Sequence, residues 1–331
     1  MSAVDSKLAQ EESTPMTEAE RPWYDMALQA VPEDQRAAFG SIPTDVVCVV
    51  RGFQHAKHRK DDTLKSITSI AEWRQSVNYY NIFNTALPGF ADFHANWKES
   101  IAGPDSYGHM IQVIRIQDVD VDAIEKMDQK QLEALQGQKM KAYAVYKEDM
   151  ARQRGTQRYK HTLLIDLTHI KMSMVSSSNK RHALQHIFGI GSKFFPETIW
   201  KIYLINGPMI FRAVFSAIKP ILAPETIAKI QMTGSFESSL KKMEADGIPR
   251  SAIPEWMGGA CKPQPTAEYV NQLILQRRTH SPKVVGGQPG AVPPPIGLSQ
   301  QQQMQQQQLQ LSSAFGSMGL GSAGPQRVAS T

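Results

Sequence analysis

The residues best suited to metal chemistry are two histidines near the middle of the chain. His182 and His186 stand four positions apart on one face of a helix predicted over Ser176–Phe195. A zinc-protease helix carries Glu directly after its first histidine, where the carboxylate acts as general base, but Ala183 stands there instead. Since no third ligand is in view, we predict two surface histidines and no metal site.

Two further candidates for chemistry are weaker still. Gly189 and Gly191 lack the remaining glycine of a dinucleotide-binding loop, and no predicted strand leads into them. The basic cluster from His55 to Lys60 could face phosphates, but no aromatic residues alternate with it, and a solvated loop or helix start is the plainer interpretation. No nucleophile, base and orienting group converge. We therefore predict that the protein is not an enzyme and uses no cofactor.

The elements around these residues alternate between apolar strands and amphipathic helices. The predicted strands are His109–Ile116, Leu163–Leu167, Lys201–Ile205 and Ile227–Met232. The predicted helices are Trp23–Ala30, one opened by Pro43, Thr63–Tyr80, Asp122–Gln153, Ser176–Phe195, Met209–Leu222 and Ser235–Asp246. This alternation predicts an α/β fold with a largely parallel sheet.

The net charge of +5 is the sum of three unlike pieces. Residues 1–20 carry −4, residues 280–331 carry +2, and the stretch between them carries +7. That middle stretch is long enough for one large domain or two small ones with a proper core. Its positive charge is compatible with anionic lipid or nucleic acid and demands neither.

Cysteine use and the chain start bear on the compartment. Only Cys48 and Cys261 are present, far apart, so no disulfide framework is expected. The polar, acidic start is not a signal peptide, which together with the cysteine count predicts a cytosolic protein. The most apolar window, Ile199–Leu222, is interrupted by charged residues and prolines, so we do not predict a membrane span.

The last fifty residues have low complexity. They contain a proline triplet, a glutamine run from Gln300 to Gln310 and a Gly/Ser/Ala end. Such a segment buries too little apolar surface to offset its ordering entropy, so disorder is predicted. A passive tail and an interaction segment both remain open.

Three stretches of sequence carry a family resemblance. They are Phe194–Pro208 (FFPETIWKIYLINGP), Ile218–Ile230 (IKPILAPETIAKI) and Ile253–Gly259 (IPEWMGG). In this order and spacing they resemble the CRAL-TRIO lipid-binding family, and within it the phosphatidylinositol transfer proteins. Val47–Arg74 resembles the helical lead-in domain of that family, so the resemblance runs from about Pro22 to Gly259.

The resemblance implies an α/β fold in which a largely parallel sheet floors an apolar lipid pocket closed by a gate helix. The implied parts are a disordered N-terminus (1–20), a helical CRAL-TRIO N-terminal domain (21–87), the CRAL-TRIO lipid-binding domain (88–262), a short helix or linker (263–279) and a disordered tail rich in Gln, Gly and Pro (280–331). The apolar gate residues are Met209, Ile210, Phe211, Val214, Phe215 and Ile218. They wrap around too much of the helix for one buried face, although an ordinary core helix is the alternative.

The head-group residues also follow from the resemblance. Glu197 would accept hydrogen bonds from inositol hydroxyls. Lys229, with Thr226, would bind the phosphodiester. A structural ion pair between Glu197 and Lys229 is the alternative. In the lead-in domain the family's lipid-contacting Arg is replaced by Ala56, so one cation of the inositol site is missing unless Lys57 or Arg59 substitutes for it.

A second pair of positions bears on the choice of lipid. The two hydroxyl residues that relatives use for choline lipid correspond to His161 and Leu163, so phosphatidylcholine is not expected as the second ligand.

The implied function is that of a soluble carrier, cytoplasmic and peripheral at organelle membranes. It would exchange phosphatidylinositol and a second lipid between membranes without covalent chemistry. Its expected partners are phospholipids, membrane surfaces in transient contact and a lipid kinase that receives the inositol lipid, but no nucleic acid. Two alternatives stay open: a carrier of a tocopherol-, retinoid- or sterol-like ligand, and a lipid-sensing scaffold that acts through its glutamine-rich tail.

Overall fold

The computed structural model describes residues 3–40, 50–51, 60–208, 211, 215, 216, 219 and 224–280. In chain order its elements are α1 (Ala3–Ser13), α2 (Arg21–Ala30), α3 (Glu33–Gly40), α4 (Lys60–Ser76), α5 (Phe90–Asn96), β1 (Trp97–Ala102), β2 (Met110–Val119), α6 (Val121–Ile124), α7 (Gln129–Arg154), β3 (His161–Asp166), α8 (Ser178–Phe194), β4 (Ile199–Ile205), α9 (Pro224–Ala228), β5 (Ile230–Met232), α10 (Phe236–Ala245), β6 (Gln264–Pro265) and α11 (Thr266–His280).

The six strands form one sheet in the order β5-β4-β3-β2-β1-β6. Strands β2 to β5 run parallel, and β1 is antiparallel to both β2 and β6. The crossovers between parallel strands carry helices, as such connections require. The predicted α/β class, with a largely parallel sheet and a helical N-terminal part, is confirmed.

Element boundaries differ from the predictions where polar side chains cap helices. The long helix predicted over Asp122–Gln153 is divided into α6 and α7, because the Asp128 side chain accepts the amide N–H groups of Lys130 and Gln131 and starts α7 anew. The last predicted strand is shortened to β5, since α9 occupies the residues before it.

The register of the parallel strands divides the sheet into two faces. Gln112 pairs with Leu163, Leu163 with Ile202, and Ile165 with Leu204, so these side chains share one side, which we call the front face. On the opposite, back face lie alternating residues that pack against α10 and the segment after it. They include Ile111, Val113, Leu164, Tyr203 and Ile205, with Met243, Ile248 and Ile253.

Helix α4 ties the N-terminal helices to the start of β4. The Trp73 ring stacks on Phe194, with centroids 4.4 Å apart, and meets Phe195 edge-on at 5.5 Å. All three side chains are buried. Such aromatic pairs add directional stabilisation to the burial of apolar area, so the chain just before β4 is firmly held.

The prediction that residues 1–20 are disordered was wrong for the part that the structure describes. Residues 3–13 form α1, and Glu12 in its last turn is 3% exposed. The Glu12 carboxylate contacts His109 Nε2 at 2.7 Å and accepts the backbone N–H groups of Tyr159 and Lys160, each at 3.0 Å. The polar and acidic composition of this segment suggested disorder. The partners that hold it lie about 100 to 150 residues away in the sequence, so no local pattern records them.

Within the described ranges, no helix is both long enough and apolar enough to cross a membrane. Residues 281–331, which include the predicted tail, lie outside those ranges, as do the basic cluster from His55 to Arg59 and the helix predicted to begin at Pro43.

Candidate functional site

Two of the predicted head-group residues meet at the edge of the sheet where the parallel strands begin. Glu197 precedes β4 and Lys229 precedes β5, and these neighbouring strands pair in parallel through Ile202 and Ile230. The starts of adjacent parallel strands lie side by side, so the two side chains approach each other. Lys229 Nζ lies 3.4 Å from Glu197 Oε2, and each side chain is 25% exposed.

The backbone at Glu197 has a conformation that favours glycine. Its φ is +58°, and among the described residues other than glycine only Asn78, His169 and Asn206 also have positive φ. Asparagine adopts this conformation more readily than glutamate does. A glutamate held there costs about 1–3 kcal/mol, and such strain concentrates at ligand sites.

The other two predicted head-group residues have different outcomes. Thr226 lies on α9, and its carbonyl oxygen accepts the amide N–H of Lys229 at 3.1 Å, which fixes the turn between α9 and β5. Lys57 lies outside the described residues.

An apolar cluster covers the front face next to the Glu197–Lys229 pair. Phe211 is buried and Phe215 half-buried, and their ring centroids are 5.5 Å apart. They pack with front-face and loop residues that include Ile116, Leu163, Ile165, Ile199, Ile202, Leu204 and Ile230. The remaining predicted gate residues, Met209, Ile210, Val214 and Ile218, lie outside the described residues.

The chain leaves β4 through a tightly anchored turn. Asn206 has φ +54°, and its amide donates to Asp166 Oδ1 at 2.9 Å. At Gly207 an added Cβ would lie 3.4 Å from both Leu167 and Phe211. Glycine there therefore lets Phe211 pack directly on the strand ends.

A buried polar network that the sequence pattern did not predict joins β1, β2 and α7 on the front face. Glu99, on β1, accepts hydrogen bonds from Lys139 Nζ at 2.6 Å, from Gln112 at 2.7 Å and from Tyr143 at 2.5 Å, as well as from the indole N–H of Trp97. The carboxylate and the ammonium are each about 1% exposed. Its only sequence signal, an acidic residue between Trp97 and Ile101, resembles an exposed strand position.

The charged state of Glu99 depends on these donors. Burial alone would raise the pKa of the Glu99 carboxyl, but the charge of Lys139 and the hydrogen bonds from Lys139, Tyr143 and Trp97 hold that pKa below its ordinary value. The network is therefore a closed ion pair at neutral pH. Beyond it, His161 Nε2 lies 3.0 Å from Gln112 Oε1, which links the network to β3.

The two histidines predicted to lie at the surface contact α7 instead of each other. His182 lies 3.0 Å from the Gln129 amide, and His186 lies 3.4 Å from a carboxylate oxygen of Glu133. In the described part of the chain no cluster of His, Cys, Asp or Glu suits a metal ion.

A separate cleft of about 550 Å³ opens at the end of β2. Its lining mixes both signs of charge and includes Asp118, Asp120, Asp122, His169 and Lys171. It contains none of the predicted head-group or gate residues, and it shares Ile116 with the front-face cluster.

Comparison with known proteins gives matches over the sheet region. The family model described as the CRAL/TRIO domain matches residues 94–259. The SEC14 cytosolic factor of Yarrowia lipolytica is 35% identical over 96 residues, which are 29% of this chain and 18% of that protein. The SEC14 cytosolic factor of Kluyveromyces lactis is 34% identical over 97 residues, 29% of this chain and 30% of that protein.

A plant protein and a solved structure are also similar. The phosphatidylinositol/phosphatidylcholine transfer protein SFH11 of Arabidopsis thaliana is 30% identical over 101 residues, 30% of this chain and 26% of that protein. The chain thus spans less than a third of the length of each of these curated relatives. The crystal structure of Sfh5 superposes with a TM-score of 0.45 at 14% identity, over 56% of this chain and 67% of that chain.

Proposed function

The chain belongs to the CRAL/TRIO domain family, and from this membership we propose that it binds a phospholipid and exchanges it between membranes. Phosphatidylinositol is the proposed ligand, with a second lipid exchanging against it. The bound lipid is the only ligand required, because the proposed mechanism is non-covalent.

The Glu197–Lys229 pair is the observation that carries this proposal. A partly exposed ion pair contributes only about 0–1 kcal/mol, and at 3.4 Å this one is longer than a good charge-assisted hydrogen bond. The strained backbone at Glu197 costs about 1–3 kcal/mol, which the pair does not repay. A purely structural role therefore explains the arrangement poorly. A ligand that contacts both charges, through hydroxyls on Glu197 and a phosphate on Lys229, explains it better.

The neighbouring apolar cluster supplies the other half of the argument. A phospholipid carries about thirty acyl CH₂ groups, and exposing them at ~0.8 kcal/mol each would cost roughly 24 kcal/mol. A carrier must therefore cover both chains with apolar side chains such as those around Phe211 and Phe215. The head-group contacts choose the lipid, and the apolar surface retains it.

Exchange at a membrane follows from the same parts. We propose that the segment containing Phe211 and Phe215 opens at a bilayer, that one lipid leaves and another enters, and that the segment then closes again. The +7 charge of residues 21–279 would favour docking on anionic leaflets, by about 1 kcal/mol for each well-placed Lys or Arg. Presentation of the inositol lipid to a lipid kinase is part of this proposal.

The direct test is to incubate the purified chain with a total lipid extract and identify what co-purifies by mass spectrometry. Phosphatidylinositol is expected as a major bound species. Recovery of no lipid would contradict the proposal as a whole, and recovery of other phospholipids alone would contradict its choice of ligand.

Removing either head-group charge is expected to impair transfer without unfolding the protein. Glu197→Gln and Lys229→Met each remove a charged hydrogen-bond partner worth about 1.5–3 kcal/mol, which corresponds to roughly 10- to 150-fold weaker binding of phosphatidylinositol. Transfer between vesicles is the measurement, with thermal unfolding followed in parallel.

A matched control comes from an exposed pair of the same types. Lys241 Nζ and Glu237 Oε1 lie 2.8 Å apart, with side chains 74% and 78% exposed. Glu237→Gln and Lys241→Met are expected to leave transfer unchanged. Equal losses in both pairs would mean that net charge, and not the head-group site, governs transfer.

A second candidate ligand class is a small apolar molecule of tocopherol, retinoid or sterol type. Leu163, on the front face and in contact with the cluster around Phe211, favours it because an apolar side chain stands where choline-lipid relatives carry a hydroxyl residue. The lipid extract separates the two candidates, since such a ligand would be recovered without phosphorus.

Deletion of residues 281–331 separates carriage from scaffolding. Transfer in vitro is expected to stay within about twofold of the full chain, because the front-face cluster and the Glu197–Lys229 pair lie entirely before residue 281. Loss of transfer on deletion would show that the tail takes part in exchange, which the proposed mechanism does not allow.

A further inference from the structure

The acidic helix α1 lies across the edge of the sheet where β2, β3 and β4 begin. Its Asp5 pairs with Lys201 of β4 at 2.8 Å, and both side chains are 17% exposed. Two turns further along the helix, the buried Glu12 contacts His109, which precedes β2, and accepts the backbone N–H of Lys160, which precedes β3. Two acidic side chains of one helix therefore bridge the starts of three neighbouring strands.

The surface beneath α1 is positively charged. Lys201 and Lys160 place their charges next to carboxylates of α1, and Arg158 contacts Ser13 in its last turn. Trp200 lies among these cations and is 7% exposed, with Lys160 Nζ 5.8 Å from the centre of its ring. We call Arg158, Lys160, Trp200 and Lys201 the edge patch. Helix α1, with three acidic residues and one lysine, complements the charge of this patch, so it covers a surface that suits an anion.

Charge, more than apolar packing, holds α1 in place. Ala9 packs against Tyr107 and Trp200 but buries little area, while Leu8 is 37% exposed. A helix of 11 residues is marginal in water on its own, so α1 depends on its contacts with the sheet edge. A competing anion that binds the same cations removes those contacts and releases the helix.

The chain that follows α1 has a separate anchor in Arg51. The Arg51 guanidinium pairs with Glu20 at 2.7 Å. It also donates to the carbonyl oxygens of Glu11, at 2.7 Å, and Thr14, at 3.0 Å. Glu20 lies outside α1, so its pair with Arg51 survives when the helix leaves the sheet. Residues 14–20 then form a short tether that keeps α1 close to the edge patch and able to return.

We propose that α1 is an acidic strap over the edge patch and that an anionic membrane surface displaces it by binding the same cations. This inference rests on the proposed function and deepens it, because it names the surface that docks on the membrane. Two features favour a bilayer over another polyanion. The edge patch lies on the same edge of the sheet as Glu197 and Lys229, so docking there brings lipid head groups to the head-group site. Its Trp200 is of the residue type that concentrates at membrane–water interfaces.

The two competing interactions are of similar size. Each well-placed Lys or Arg strengthens binding to an anionic leaflet by about fivefold, so three cations contribute roughly a hundredfold. Breaking a buried pair such as Glu12 with His109 opposes release by at least about a hundredfold. The strap is therefore closed in solution, and a surface that presents many phosphates at once is needed to open it.

Hydrogen exchange of residues 3–13 in the full chain tests the strap directly, because it needs no variant. The samples contain buffer alone, vesicles of phosphatidylcholine, vesicles of phosphatidylcholine with phosphatidylserine, and a short double-stranded DNA, at equal pH and ionic strength. Protection of α1 is expected to stay unchanged with phosphatidylcholine and to decrease by at least about tenfold with phosphatidylserine. Co-sedimentation measures the fraction of the chain bound to the vesicles in parallel.

A chain that begins at Met16 lacks α1 and is expected to bind phosphatidylserine vesicles about tenfold more tightly than the full chain. Adding Lys160→Gln and Lys201→Gln to that chain should remove this gain, because two cations of the edge patch are then absent. The deletion raises the net charge by 2, since it removes three acids and one lysine. The control, Glu33→Gln with Asp34→Asn, makes the same change of charge at exposed positions of α3 and should alter binding by less than about threefold.

Unchanged protection of α1 on phosphatidylserine vesicles would overturn the inference, and transfer of phosphatidylinositol by the same chain would leave the proposed function standing. Release of α1 by DNA but not by phosphatidylserine vesicles would also overturn it, in favour of a nucleic-acid partner. Equal gains in the chain that begins at Met16 and in the α3 control would assign vesicle binding to net charge and overturn the strap. Release on phosphatidylserine vesicles, with no lipid recovered from the extract, would uphold the strap and contradict the proposed function alone.

Discussion

Lys139→Met is expected to lower the free energy of unfolding by about 3–5 kcal/mol, because it leaves a buried carboxylate without its cation. Methionine matches the length of the lysine stem, so packing changes little. Glu99 keeps its contacts with Gln112, Tyr143 and Trp97 but loses the charge 2.6 Å away. Since burial is the largest influence on the Glu99 carboxyl, its pKa should then rise above the ordinary value. Urea denaturation followed by circular dichroism measures the loss.

Two controls separate this effect from a general effect of removing a lysine. Lys241→Met removes the same charge from a pair whose side chains are mostly exposed, and it should change stability by less than about 0.5 kcal/mol. The double variant Glu99→Gln with Lys139→Met removes both charges, and it should recover much of the stability lost in the single variant. A Lys139→Met protein as stable as the wild type would contradict the closed network.

The parallel core of the sheet could be predicted because its strands are continuous apolar runs. Most residues of strands β3 and β4 are buried or half-buried apolar residues on both faces, so local sequence reports these strands directly. Strand β1 was not predicted, since Lys98, Glu99 and Ser100 make it look like a loop. Glu99 is buried only because Lys139, forty residues later, neutralises it, and no local pattern records a partner at that distance.

The candidate site likewise has features that could be predicted from the sequence and features that could not. Glu197 and Lys229 were predicted from the family resemblance, and the structure brings them together because they precede two neighbouring strands that pair in parallel. The strained φ of Glu197 and the contact between His161 and Gln112 could not be predicted, since the first is a backbone property and the second joins side chains 49 residues apart. The docking of α1 was hidden for the same reason, because Glu12 meets His109 across 97 residues.

Docking of α1 is expected to depend on pH through His109. Both ring nitrogens face carboxylate oxygens, Nε2 to Glu12 at 2.7 Å and Nδ1 to Asp105 at 3.1 Å. Carboxylates only accept, so both contacts are satisfied only when the imidazole carries two protons. The other groups that face this cluster are Arg158 and Lys160 on the segment before β3, the stacked Trp200 ring at 4.3 Å, and Tyr107.

The direction of the pH effect follows from two opposite shifts. Burial lowers the pKa of His109, but Asp105 and Glu12 outweigh burial and raise that pKa above 6.5. The stabilisation that protonated His109 gives to docking is therefore complete below pH 6.5 and is lost as pH rises through the raised pKa. Burial raises the pKa of Glu12, but His109 outweighs burial and lowers that pKa below 4.5. The stabilisation that ionised Glu12 gives to docking is therefore complete above pH 4.5 and is lost as pH falls through the lowered pKa. The hydrogen-exchange protection of α1 should therefore be greatest between pH 4.5 and pH 6.5.

Hydrogen-exchange protection factors of residues 3–13, corrected for the intrinsic pH dependence, measure this window. Glu12→Gln should remove most of the protection. The Glu12 carboxylate accepts the N–H groups of Tyr159 and Lys160 and contacts His109, whereas the NH₂ group of a glutamine there would face these N–H donors with a donor of its own. The neighbouring Glu11→Gln is the control and should leave the profile unchanged. Breaking a buried pair on one side costs about 3–5 kcal/mol, so a decrease in protection of at least about a hundredfold is expected.

The alkaline side of the profile distinguishes the ion triad from ordinary packing of α1. Apolar contacts of α1 are few, with Ala9 against Tyr107 and Trp200, and they do not titrate near neutral pH. If these contacts held the helix, protection would stay constant as pH rises above neutrality. If the imidazolium between Glu12 and Asp105 holds it, protection must decrease there, and His109→Phe, which keeps a ring against Trp200, must lose protection at every pH. Constant protection in that variant would assign the docking to the ring stack and not to the charge.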